Sequence, residues 1–378
     1  MTALLGALPV VCILLGGFLV GRGGRLAGSA SLSAGLASIF WLAVHGRTGA
    51  SGTFDGDPFS LFFGGLILVE LAGAWWIGNE KEPSRRFFMA AALILAVSSR
   101  NLLWIYAGFG AFSLLTGRHR ASSTPALAGL VLVAAFGGGT DLAVLAPTSV
   151  VKLGVGLFSV GMIVPWIAAC RVTGFGALGS GVALVAFWIR LVSWAPELVS
   201  VWEPLGWMLA AAAITIGGLG AALAGRTPGF LSWLAISQVG FAILGVSGGA
   251  PALAYVLLHT AAATLAILLL TYVHDGETSR STPASWILTL SLASVPPLPG
   301  FVTKLPLLSA LSPASLVLSL VGTALVGIGC ARLLARTTFP EPTTARLATG
   351  AAVVFALALG VFPDALFHWA ALAAAGLF

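Results

Sequence analysis

Charge is what this sequence has least of. Asp, Glu, Lys and Arg make up 8% of its 378 residues against 58% hydrophobic, too few to clothe an ordinary soluble protein. Cysteine is also scarce: Cys12, Cys170 and Cys330 are odd in number and lie in or beside apolar runs, which excludes a disulfide framework. No His, Cys, Asp and Glu cluster has metal-ligand spacing, and neither a haem or flavin motif nor a phosphate-binding glycine loop is present. The chain is therefore expected to carry no cofactor of its own. Its net charge of +6 comes from basic residues dispersed along the sequence, so it does not indicate a nucleic-acid partner. No polar stretch is long enough for a soluble domain.

What is present is apolar sequence in repeated runs. Cut at charged or Pro/Gly-rich breaks, residues 1–378 give about fourteen spans of roughly 17–24 residues, each long enough to cross a bilayer. The expected fold is a single all-α polytopic transmembrane domain. The 48 glycines fall inside apolar spans, where small residues let helices approach closely. Spans 1–3 are expected over about 3–77, the first half over about 86–193, the second over about 202–335, and a final span over about 345–370.

Basic residues sort by loop. Odd-numbered loops carry Arg22, Arg25, Lys81, Arg85, Arg86, Arg118, Arg120, Arg171, Arg226, Arg280, Arg332, Arg336 and Arg346. Even-numbered loops carry Arg47, Arg100, Lys152 and Arg190. This asymmetry predicts odd loops in the cytoplasm and both termini outside it, with span 1 a retained helix.

The chain is organised around Leu290 to Lys304, LSLASVPPLPGFVTK. Pro296, Pro297 and Pro299 remove backbone donors within four residues, so the helix must break, and Gly300 is expected to give the flexibility to restart it. Interrupted backbone at membrane depth survives only against protein or water, and a lysine beside it marks a functional site. The plain alternative is a proline kink with a snorkelling lysine.

This segment resembles the broken twelfth helix of the antiporter-like subunits of respiratory complex I. It is most similar to the N subunit of bacterial NADH-quinone oxidoreductase, the counterpart of mitochondrial subunit 2. Asp55 and Asp57, ahead of the third span, resemble the lead into the family's third helix, although Asp-Pro is also a common helix start. Glu70 lies within that span, either as a functional carboxylate, or as one hydrogen-bonded to a neighbouring helix or facing the interface beside Trp75 and Trp76. In FLSWLAISQVGF, Ser237, Gly240 and Phe241 follow the family's tenth-helix segment, with Gln238 replacing its histidine. His259 lies deep in the next span. Val164-Pro165 resembles the second broken helix, so an interruption is expected at Pro165.

The resemblance also shows what has been lost. The family's glutamate of the fifth helix falls on Gly110, the lysine of the seventh on Val160 and that of the eighth on Gly181. Arg190, at the end of span 8, matches a family arginine. By resemblance the two halves, each with a proline-broken helix, form inverted repeats, and buried lysines and carboxylates pass protons in each. Here Lys304, with His259 and Gln238 as polar neighbours and Glu70 apart from them, would carry what remains. The implied function is a non-redox membrane-arm subunit of a complex I-like NADH-quinone oxidoreductase in the cell (inner) membrane, contributing to or scaffolding proton translocation. Its implied partners are other membrane-arm and redox subunits, lipids and, indirectly, quinone. The alternatives are an Mrp-type cation/proton antiporter subunit, a hydrogenase or carbon-uptake membrane subunit, or a purely structural component.

Overall fold

The computed structural model describes residues 7–45, 57–76, 83–116, 124–170, 175–273, 283–336 and 364–375, with isolated positions between 350 and 360. These residues are helical almost throughout and contain no named strand, only an isolated bridge between Asn101 and Asp141. Helices Pro58–Trp75, Pro196–Leu223, Thr227–Val246, Ala252–Thr271 and Pro313–Ala335 are long and apolar enough to cross a membrane. Large apolar side chains also face outward, among them Phe18, Leu153 and Leu219, as suits helices with lipid for solvent. The molecule is a multi-pass membrane protein.

The chain forms two compact units. The first comprises Met1–Ala169, Phe175–Leu205 and Leu372–Phe378. It opens with α1 (Leu8–His45), whose 38 residues would make a straight rod about 57 Å long. Instead the backbone turns at Gly24, where φ is 65° and ψ −153°. The two arms lie side by side, with Ser31 Oγ donating to the Cys12 carbonyl at 2.6 Å. The break expected between Arg22 and Arg25 is thus a helical hairpin.

Asp57 starts α2 (Pro58–Trp76) by accepting from the Ser60 amide at 3.0 Å, with Pro58 in the first-turn position that tolerates it. Next come α3 (Pro83–Val97) and α4 (Leu102–Leu115). Asn101 caps α4 by accepting from Leu103 N at 2.9 Å and takes a 2.7 Å bond from the Thr140 hydroxyl. This ties the α3–α4 turn to the segment after α5 (Thr124–Phe136). α3 packs against α2, α4 and α7 (Phe175–Trp194), and α2 also packs against α7.

The interruption expected at Pro165 is not found: α6 runs as one helix over Ser149–Cys170. A lone proline frees only the carbonyl four residues earlier, here that of Gly161, and a helix braced by neighbours tolerates such a loss. Gly161 is tightly braced, since a Cβ there would lie 2.1 Å from the Ala126 amide nitrogen of α5.

The second unit comprises Cys170–Gly174 and Gly206–Ala371. It holds the later part of α8 (Val199–Leu223), then α9 (Thr227–Val246), α10 (Ala250–Val273), α11 (Pro283–Leu292), α12 (Pro299–Ser309) and α13 (Pro313–Arg336). A last helix, α14, covers Asp364–Ala375. The final span expected over about 345–370 lies mostly outside the described residues.

The break between α11 and α12 is where the prolines placed it. α11 closes with Val295 N bonded to Leu290 O at 3.0 Å and Ser294 N to Ser291 O at 2.9 Å, the paired bonds of a Schellman cap. Ser294 occupies the left-handed position, φ 61°, that glycine usually fills. Gly300 serves a different purpose from the flexibility expected of it. A Cβ there would lie 1.8 Å from the Ser291 carbonyl oxygen, and its amide donates to Ser291 Oγ at 3.0 Å. The restarted helix seats against the end of the old one, and only glycine fits.

Candidate functional site

Restarting the helix at Pro299 carries Lys304 inward on the first turns of α12, and only 2% of its surface is exposed. Its Nζ stands 3.6 Å from the centroid of the Phe241 ring of α9 and 3.3 Å from Thr323 Oγ1 of α13. The Thr323 hydroxyl spends its proton on the Ser319 carbonyl at 2.8 Å, so its lone pairs face the ammonium. No carboxylate among the described residues pairs with Lys304. A ring face met by a desolvated ammonium contributes about 2 kcal/mol, and here it stands where an acid would be expected.

His259 of α10 meets the same ring at nearly a right angle, centroids 6.3 Å apart and planes at 82°. Its Nδ1 is 3.5 Å from the hydroxyl of Thr303, the residue before Lys304. Gln238 is buried three positions before Phe241 on α9. Ser237 Oγ, Gln238 Nε2, His259 Nε2, Thr289 Oγ1 and Ser319 Oγ are buried without a hydrogen-bond partner among the described residues. Such groups are normally met by ordered water. The second unit therefore joins Lys304 and His259 through Phe241 and Thr303, with Gln238 on the same helix as the ring.

Glu70 belongs to the first unit. It lies in α2 with 0% exposure, and neither carboxylate oxygen has a partner among the described residues. Gly110 has no atom within 4 Å of where a Cβ would stand, Val160 is 41% exposed, and Gly181 is buried in α7. None of the three can titrate. The side chain of Pro165 lies outside the described residues.

The first unit also holds a cluster that the loop tally hid. Arg190 is not a loop residue: it lies inside α7, 1% exposed. Its guanidinium donates to the Ser99 carbonyl and to Ser60 Oγ, the latter at 2.5 Å, and stands 3.6 Å from Asp57 Oδ1. Rings flank it, Phe59 at 5.1 Å and Trp194 at 4.6 Å, and Arg100 lies 4.5 Å from that same indole. The cluster fixes the start of α2, the α3–α4 turn and the end of α7 at one level.

No family model matches the chain. Its fold is shared with chains of solved respiratory complex I and Mrp complex structures. It aligns with a chain of "Respiratory complex I from Thermus thermophilus with bound Aureothin" at TM-score 0.78 and 22% identity, covering 97% of this chain and 99% of that one. A chain of the Mrp complex from Dietzia sp. DQ12-45-1b aligns at TM-score 0.74 and 18% identity, covering 100% and 97%. In sequence the chain is similar to the N subunit of NADH-quinone oxidoreductase. It is 26% identical to that subunit of Sphingopyxis alaskensis over 82% of this chain and 80% of the relative. It is 24% identical to subunit N 1 of Acidiphilium cryptum over 88% and 86%.

Proposed function

We propose that the chain is a membrane-arm subunit of a complex I-like NADH-quinone oxidoreductase and serves proton translocation through Lys304. It would sit in the cell (inner) membrane beside other membrane and redox subunits, which carry the electron transfer, with lipid around it and quinone no closer than its partners bring it. The reading is supported above all by Lys304 itself, buried beside an interrupted helix with no carboxylate paired to it among the described residues and with buried polar atoms near it that lack a partner there. A lysine kept there for structure alone would be costly, on the order of 3 kcal/mol by insertion scales.

Substitution in the assembled complex tests this through the proton-to-electron ratio. Lys304→Ala is expected to abolish the pumping that passes through this chain. Lys304→Arg is expected to impair it too, because a guanidinium does not release its proton in a protein. Assembly should survive both changes. An unchanged ratio in Lys304→Ala would leave a structural subunit, the role favoured by Gly110, Val160 and Gly181. A cation/proton antiporter subunit of the Mrp kind shares the fold, but the sequence relatives named above are N subunits.

A further inference from the structure

We infer that Glu70 is a second proton-binding site, in the first unit, placing on α2 a carboxyl at the depth where α4 has Gly110 and α7 has Gly181. This rests on the chain belonging to a proton-translocating complex and adds a site that Lys304 does not imply.

The helix ends set the depth. The Arg190 cluster puts the start of α2, the α3–α4 turn and the end of α7 together. At the opposite end, Arg85 near the start of α3 donates to the Leu115 carbonyl, so the end of α4 lies with the start of α3, and Trp75 near the end of α2 meets Phe87 of α3 with ring centroids 5.4 Å apart. Glu70 is six residues before the end of α2 at Trp76, about 9 Å inside it. Gly181 is six residues after the start of α7 at Phe175, also about 9 Å in, and Gly110 is five before the end of α4, about 8 Å in. The carboxyl thus stands at the level of two positions that resemblance assigns to a lysine and a glutamate.

Its direction follows from helical spacing. Glu70 comes seven residues after Phe63 and eleven after Phe59, both of which return to nearly the same face. Phe59 on that face meets Arg190 of α7. At the level of Glu70, α7 reads Gly179-Ser180-Gly181, all buried, so the helix that packs on α2 offers little side chain there. Neither carboxyl oxygen has a partner among the described residues, and buried groups of this kind are normally met by ordered water. A buried carboxyl with no structural bond is otherwise a pure loss, which Leu would avoid. The chemistry is simple: one carboxylate oxygen forms an O–H bond with a proton handed over by hydronium, which becomes neutral water as its own O–H bond breaks, and the reverse step returns the proton to water.

The test treats the assembled complex with dicyclohexylcarbodiimide, an apolar reagent that couples to protonated carboxyls in apolar surroundings, and reads adducts on this chain by mass spectrometry. Pumping is measured in parallel for Glu70→Gln and Glu70→Leu. The expected results are an adduct on Glu70, a proton-to-electron ratio lowered at least twofold in both variants, and a melting temperature in Glu70→Leu no lower than the parent's. Absence of the adduct would overturn the proposal, as would an unchanged ratio in Glu70→Gln. A melting temperature that falls in both variants would assign Glu70 a structural bond instead. Failure of Lys304→Ala to change the ratio would count against the function proposed above, whereas the carbodiimide adduct depends on Glu70 alone.

Discussion

Two buried cations in this chain are held in opposite ways. Arg190 is surrounded by a carbonyl, a hydroxyl, a carboxylate and two rings, whereas among the described residues Lys304 meets one ring face and one hydroxyl. Guanidinium is permanently charged, so its shell must be permanent too, while an ammonium that gives up its proton needs no more than a lean one. Removing the acid from a buried pair strands the base, at a cost of about 3 kcal/mol. Asp57→Asn is therefore expected to destabilise the protein by about that much in denaturant unfolding from detergent, even though Asn can still cap α2. A loss within about 0.5 kcal/mol, the size of an ordinary surface change, would show that the rings and hydroxyl suffice. Sequence alone pointed to Lys304 and His259 because apolar runs isolate them. It misplaced Arg190, since VALVAFWIRLVSW fits an arginine at a helix end as well as one within, and its partners Ser99 and Ser60 are 91 and 130 positions away. Phe241 could be read as one more apolar residue, because nothing local reveals which ring an ammonium will meet.

Among the elements, the α11–α12 break was legible from composition because three prolines and a glycine crowd into five positions. Pro165 offered one proline, and the brace that keeps α6 continuous, Gly161 against α5, is tertiary and lies outside any local pattern. The break also holds a testable detail. Ser294 adopts a left-handed conformation that costs a non-glycine residue about 1 kcal/mol. Ser294→Gly should accordingly stabilise the protein by up to about 1 kcal/mol, and Gly300→Ala should disrupt the α12 seat because its methyl would meet the Ser291 carbonyl. Thermal unfolding of the two variants checks the pair. A destabilised Ser294→Gly would mean that the serine side chain, not the backbone, decides the cap.

Over the whole molecule, the bilayer-length periodicity of the sequence made a helical membrane fold readable, and the sides of the membrane follow from where basic residues gather. We propose fourteen crossings with both termini outside the cytoplasm. α8 provides the check, because Glu197 and Arg226 flank it at opposite ends and both are exposed. In intact cells, a cysteine at Glu197 should react with an impermeant thiol reagent while one at Arg226 stays protected until the cells are opened. The reverse pattern would invert the topology. The ring beneath Lys304 has a last consequence, electrical in kind. Where a lysine faces a carboxylate, proton transfer within the pair leaves the total charge of the pocket unchanged. A benzene ring cannot exchange a proton, so each proton that Lys304 accepts or surrenders changes the pocket by a whole elementary charge. Moving such a charge across the full membrane is worth about 2.3 kcal/mol per 100 mV. If Lys304 exchanges protons as proposed, a site of this composition would act as an electrometer, its occupancy answering to the membrane voltage.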